Sequence, residues 1–282
     1  MNFSMIYAST SCLKNPRIVT KVLDEYEKAG IRNVELGSVH SYFNINELKK
    51  YNFNFLVHNY FPPPKISFNF NLASQNNTIR KKSINHAKNA IELCRQIDSP
   101  LYTFHGGFTV DPQKLGVEFS RENISKKSRA IFTFIDSLFE IIDFAKSNGI
   151  KLAMEPNVVQ KFNLTRNRNE LLLFADINEI EILFNFFNKK ELGILLDLGH
   201  TAVTSHWLHF NKNNFVKKLK DRVSAIHISN NNGLQDQHKG LTKTCWQNKK
   251  LKFFRKTPII LESMNLNIEE IKHNIQLIKE SK

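Results

Sequence analysis

The feature that most constrains this chain is an alternation of element types. Eight short apolar runs are separated by stretches of helical periodicity or by loops. This is the pattern of parallel βαβ units, in which crossover helices join neighbouring strands. Strands are expected over residues 5–9, 33–36, 55–58, 101–105, 151–155, 193–197, 223–228 and 258–262. Helices are expected over 16–29, 45–51, 77–97, 120–148, 169–175, 177–188, 215–220 and 268–279. Val19, Val22, Leu23 and Tyr26 share one face of the first helix, and Gly149 supplies a C-cap after the 120–148 helix. Pro62, Pro63 and Pro64 follow the third strand and can continue neither a helix nor a central strand. Eight such units in 282 residues fit an α/β fold of the closed (β/α)8, or TIM, barrel type. That fold needs about 250 residues as one unit. A single domain over 1–282 is therefore expected, with 41 % hydrophobic residues to fill its core and no fixed-period repeat or low-complexity linker to divide it.

Several classes are set aside. No apolar run reaches about 18 residues, so no membrane span or membrane partner is expected. The opening MNFSMIYASTSCLK lacks a basic stretch followed by an apolar one, so no signal peptide is read and a cytoplasmic location is expected. Cys12, Cys94 and Cys245 are far apart and form no C-x-x-C pair. They read as isolated inert thiols rather than a disulfide framework or a Cys-rich zinc site. The formal net charge of +14 attracts phosphate, on nucleic acid or on a small substrate. Lys and Asn are abundant along the whole length and no clustered basic arm is read, so the charge is a hint about phosphates only.

Polar residues that bind metals stand at the end of strand after strand. His58 ends the third, His105 the fourth, Glu155 the fifth, Asp197 the sixth, His227 the seventh and Glu262 the eighth, with His200, Asp236 and His238 just beyond. Alone, each has a structural explanation: a hydrogen-bonded histidine, a loop ion pair, or a D-x-x-H or D-x-H spacing common by chance. In a barrel, however, these strand ends converge on one mouth. Carboxylates packed there without a cation repel and are costly to bury. A divalent ion resolves this, since neutral imidazole and carboxylate suit Zn, Mn, Co or Fe, with Mg admitted as well. Among the other histidines, His86 and His273 fall in helical patterns as structural or solvated residues. His206 and His209 are expected in a loop or lining the mouth, and His40 is within reach of the mouth.

The segments VELGS (34–38), LVHNYFPPP (56–64), FHGGF (104–108), LAMEPN (152–157), LLDLGHT (195–201), IHISNNNGLQDQH (226–238) and IILES (259–263) resemble, in this order, the xylose-isomerase-like barrel superfamily, which also contains endonuclease IV. Endonuclease IV holds three zinc ions with nine ligands, and the resemblance implies counterparts at His58, His105, Glu155, Asp197, His200, His227, Asp236, His238 and Glu262. The surroundings depart from that enzyme. Pro156-Asn157-Val158 follows Glu155, the Ser229-Asn230-Asn231-Asn232 run lacks a Lys, Gln237 stands between Asp236 and His238, and Tyr7-Ala8-Ser9 replaces His-Val-Ser. The Asn-rich loop and the HNYFPPP stretch look more like the sugar phosphate isomerase/epimerase branch. That branch implies one metal held by Glu155, Asp197, His227 and Glu262. Glu155 and Glu262 are then the catalytic acid/base pair, moving a proton through a metal-stabilised enediolate. The remaining donors then bind substrate oxygens or a further metal. A small carbohydrate is the expected partner, in a monomer or a homo-oligomer. The alternative is a zinc phosphodiesterase acting on abasic sites in DNA, and a relative without catalysis is disfavoured by the complete ligand set.

Overall fold

A computed structural model describes residues 5–112, 118–119 and 121–281. The eight strands are β1 (Ile6–Ser9), β2 (Asn33–Leu36), β3 (Asn54–His58), β4 (Leu101–His105), β5 (Lys151–Glu155), β6 (Gly193–Asp197), β7 (Val223–Ile228) and β8 (Ile259–Leu261). Each pairs in parallel with the next, and β1 pairs with β8 through Ile6↔Ile259, Tyr7↔Ile260 and Ala8↔Leu261, closing the barrel. The strands are apolar on both faces, as a sheet covered on both sides requires. Tyr7, Leu56, Leu101, Ala153, Leu195 and Ile260 fill the barrel interior. The alternate residues, such as Val57, Phe104, Met154, Leu196 and Ile226, face the helices. The chain is a single TIM-barrel domain, as the alternating pattern predicts.

The helices are α1 (Val19–Lys28), α2 (Asn77–Gln96), α3 (Lys127–Ser147), α4 (Ile177–Phe186), α5 (Leu198–Trp207), α6 (Lys212–Leu219), α7 (Trp246–Lys250) and α8 (Ile268–Glu280). A 3-10 helix over Ile45–Lys50 joins β2 to β3. Among the described residues, no helix is long and apolar enough to cross a membrane.

Several helical expectations need correction: the helix read over 16–29 spans Val19–Lys28, and the one over 45–51 is the 3-10 helix Ile45–Lys50. The helix read over 120–148 begins at Lys127; Ser120 lies outside the described residues, and 121–126 form turns and irregular chain. No helix forms over 169–175. There the backbone is drawn outward to the β4 loop, where Leu173 N–H donates to Gly107 O at 3.0 Å and Thr109 N–H to Leu171 O at 2.9 Å. Phe174 adopts a left-handed φ of 57° that a helix excludes. The helix read over 215–220 starts earlier, at Lys212, because Asn211 caps it by accepting from Asn213 and Asn214 N–H.

Candidate metal centre

The C-terminal strand ends bring all nine expected residues to one mouth. His58, His105 and Glu155 close β3, β4 and β5, and His227 is the penultimate residue of β7. Glu262 directly follows β8. Asp197 ends β6 and caps α5, its Oδ1 accepting from His200 N–H at 2.7 Å, which sets His200 in the first turn of that helix. Asp236 and His238 arrive on the β7–α7 loop. That loop is pinned by the paired backbone hydrogen bonds between Asn230 and Lys239 at 2.8 Å each and by Asp236 N–H donating to Gln160 Oε1 at 3.0 Å.

The donors fall into groups whose ligand atoms lie close enough to share an ion. The first is His58, His105 and Glu155; the second combines Glu155 or His227 with Asp197 and its neighbours His200 and Glu262; the third is His200, Asp236 and His238. Glu155 is the hub. Its Oε2 is 3.5 Å from both His58 Nε2 and His105 Nδ1, while its Oε1 is 3.0 Å from His200 Nδ1 and 3.7 Å from His227 Nδ1. Glu262 Oε2 lies 3.1 Å from His227 Nδ1, and Asp236 Oδ2 lies 3.4 Å from His200 Nε2 and 3.0 Å from His238 Nε2.

The donor set fits divalent metal on its own evidence. Both oxygens of Glu155, Asp197 Oδ2, and Nδ1 of His105, His200 and His227 are buried and have no hydrogen-bond partner of proper geometry. Buried polar atoms rarely go unsatisfied, and six around one point mark a place meant for a cation. The charges are strongly interdependent. Burial opposes ionisation of Glu155, yet His105, His227 and His200 together hold its carboxyl well below the usual range. Burial, with Glu155 and Glu262 beside it, pushes Asp197 up to about 6 against the pull of His200 and His227. Burial takes His105 down to about 4. His238 rises to about 9, because Asp236 and Glu262 outweigh its burial, and the surrounding carboxylates raise His200 and His227 well above the ordinary histidine value in the same way.

Glu35 is a member of this site that the sequence reading does not include. It lies in β2, is almost fully buried, and its Oε2 is 2.7 Å from His227 Nε2. A carboxylate there keeps the proton on Nε2 and leaves Nδ1 as the free donor. Its one signal in the sequence is an acidic residue inside an apolar strand, Val34-Glu35-Leu36. On β3, His58 Nδ1 is similarly engaged by Thr103 Oγ1 at 2.9 Å, leaving Nε2 for the centre.

The other histidines stand apart. His40 is held by Thr10 Oγ1 and Pro16 O at 2.6 and 2.5 Å. His86 is buried rather than solvated, stacked on Tyr60 at 4.9 Å. His206, His209 and His273 are exposed. The Asn-rich loop is occupied by its own architecture: Asn230 Oδ1 accepts from Asn231 N–H, Asn231 reaches Gly199 O and Gly233 N–H, and Asn232 Oδ1 accepts from Leu234 and Gln235 N–H. Above the donors opens a cavity of about 470 Å³, walled on one side by Phe108, Phe119, Phe162 and Leu172. No Lys or Arg lines it among the described residues.

The chain resembles known proteins over most of its length. It is 26% identical over 230 residues to an uncharacterized protein of Methanocaldococcus jannaschii, covering 80% of this chain and 75% of that one. It is 25% identical over 214 residues to the "Probable endonuclease 4" of Persephonella marina, covering 70% and 67%. The solved structure of a D-tagatose 3-epimerase-like protein superposes with a TM-score of 0.71 at 21% identity, covering 98% of both chains, which is a likeness of fold. With its closed parallel barrel, its donors at the strand ends and a family model matched over residues 45–280, the chain belongs to the xylose isomerase-like TIM barrel family.

Proposed function

We propose that this protein is a metal-dependent phosphodiesterase that cuts DNA at abasic sites, its nine donors holding three divalent ions. The observation that carries this reading is the two-sided use of Glu155. One oxygen faces His58 and His105 and the other faces His200 and His227, all within 3.7 Å. With an ion on each side, Glu155 would serve as a shared ligand through both oxygens rather than as a free general base. Such ions, when bound, supply Lewis-acid polarisation of phosphoryl oxygens and a nucleophile at neutral pH. Around them, Glu35 and Thr103 fix the rings of His227 and His58 by hydrogen bonds to the nitrogens that face away from the centre. Glu262 O engages His238 Nδ1 at 3.0 Å in the same way, leaving Nε2 toward Asp236 and His200. The aromatic wall of Phe108, Phe119 and Phe162 keeps bulk water from one side of the mouth. The net charge of +14 favours a phosphate-bearing substrate. The relative named as an endonuclease 4 points the same way.

A second reading, a sugar or sugar phosphate isomerase or epimerase with Glu155 and Glu262 as acid/base pair, draws support from the absence of Lys and Arg around the cavity among the described residues. The amide oxygens of Asn230, Asn231 and Asn232 in the Asn-rich loop are engaged by backbone N–H groups, which weakens the support that loop lends to it. One experiment separates the two. Protein loaded with zinc or manganese is incubated with an abasic duplex and, separately, with ketoses in heavy water. Strand incision abolished by chelation is expected, with three ions per chain by metal analysis. Deuterium entering a carbon beside a carbonyl, without incision and with one ion per chain, would replace the proposal with the isomerase reading.

A further inference from the structure

One acid-free stretch lies in the β7–β8 crossover, directly after the donor His238. Residues 239–261 contain seven Lys or Arg and no Asp or Glu. That is seven in 23 residues, against 40 in 282 for the whole chain, so the basic residues are denser here than on average. Folding concentrates them further, because α7 and the 3-10 turn Leu251–Phe253 pack beside the start of α6, where Trp246 Nε1–H donates to Asn213 Oδ1 at 3.0 Å. Lys212 and Lys250 stand over the Trp246 ring at 4.7 and 5.4 Å. Lys250 and Lys252 stand over the Phe253 ring at 5.9 and 5.4 Å. Among the described residues, Lys243 is the one cation of the seven with a carboxylate nearby, Glu280 at 3.9 Å.

Three ammonium groups are thus gathered on one face with no acid to balance them. Burial first and the neighbouring lysine second lower the pKa of Lys212 and Lys250, consistent with their closeness on this face. Attraction of the ammonium groups to the ring faces helps hold them on this face. Phe253 is 48 % exposed with two ammonium groups within 6 Å of its ring centroid, so this face presents charge beside its apolar surface. That suits a row of phosphates better than the interior of a bilayer.

We propose that the face formed by α6, α7 and the turn after it is a docking surface for the phosphate backbone of duplex nucleic acid, indifferent to sequence. It rests on the phosphodiesterase reading for its biological use but not for its test, since binding is measured without turnover. The probe is a fluorescently labelled, undamaged DNA duplex, titrated with metal-loaded protein by anisotropy between about 50 and 200 mM salt. Lys250→Glu/Lys252→Glu is compared with Lys189→Glu/Lys190→Glu, an equal charge change at two exposed lysines after α4. Circular dichroism verifies that both variants fold. The first variant is expected to bind at least tenfold more weakly, with a plot of log affinity against log salt shallower by about 2, since each lost phosphate contact removes about 0.9. The second is expected to bind as the parent does. Equal weakening in both variants, or in neither, overturns the proposal, as does a parent that does not bind the duplex. Loss of binding to phosphatidylserine vesicles in the first variant, with duplex binding intact, would make the face a membrane surface instead. If the parent binds duplex but leaves abasic DNA uncut, the catalytic reading fails and this one stands.

Discussion

Replacing Glu35 by Gln keeps the shape of the side chain and removes its charge. In the native site its Oε2 accepts from His227 Nε2 at 2.7 Å in a fully buried setting. A hydrogen bond to a charged group contributes about 1.5–3 kcal/mol and a neutral one about 0.5–1.5 kcal/mol. The substitution therefore costs about 1–1.5 kcal/mol of the hold on His227, which is about tenfold in metal affinity. That lies at the low end of the 10–100-fold usual for residues that orient a metal-binding histidine. The assay is competition with a chromophoric chelator, with cobalt(II) as a spectroscopic probe of the imidazole donors. The expected result is an unchanged number of ions, one of them bound about tenfold more weakly. Two results would refute the reasoning. Unaltered affinity would mean that Glu35 does not orient His227. Outright loss of one ion would make Glu35 a ligand itself, in the group it forms with His58 and His227.

Glu155→Gln is expected to lower the metal content from three ions to two, because the His200, Asp236 and His238 group and the Asp197, His227 and Glu262 group do not need Glu155; metal analysis reads this directly, and a full complement in the variant would contradict the shared-ligand role. Metal loading is expected to release protons at neutral pH. His238 titrates at about 9 in the metal-free protein and His200 and His227 are also raised, so protons sit on rings that bind metal only when neutral. Affinity should then rise with pH until about 9, while the metal-free fold, which gains from those protons below the ordinary histidine range, loses that gain as pH climbs through the same value. An indicator in weak buffer that records no proton release would contradict this. Cys12 and Cys94 are buried, with Cys94 pushed up to about 12 by burial, and Cys245 is partly accessible. A thiol reagent should label one cysteine per native chain and all three in denaturant. Phe134→Ala, in the fully buried contact with Phe174 at 4.8 Å, should cost about 3–5 kcal/mol in chemical denaturation.

The strands were legible to within a residue because burial on both faces writes them as continuous apolar runs, and the positions of their last residues followed at once. The helices were less legible where local periodicity competes with tertiary demands. Leu171 to Ala175 is apolar and buried, yet it packs as irregular chain against the β4 loop. The α5 helix escaped notice because it starts directly off a strand through the Asp197 cap, in a segment that reads as a ligand motif. All nine donors were visible as residues at strand ends and just beyond. Their grouping was not, since the sequence cannot say which oxygen of Glu155 faces which histidine. The Asn-rich run also hid its local role: the amide oxygens of Asn231 and Asn232 accept from Gly233 and Leu234 N–H and shape the turn.

Barrel closure through β1 and β8 has a consequence for the order of events during synthesis. The donors span residues 58 to 262, and Glu262 follows the strand that pairs with the first one. A ribosome delivers His58, His105 and Glu155 before β6, β7 and β8 exist. Asp236, His238 and Glu262 come only after β7. A chain made only as far as β5 holds the first group alone, without His200 and His227 beside Glu155. Tight metal capture thus waits for the last strands of the barrel, and chains stopped at β5 are poor competitors for the cell's supply of ions.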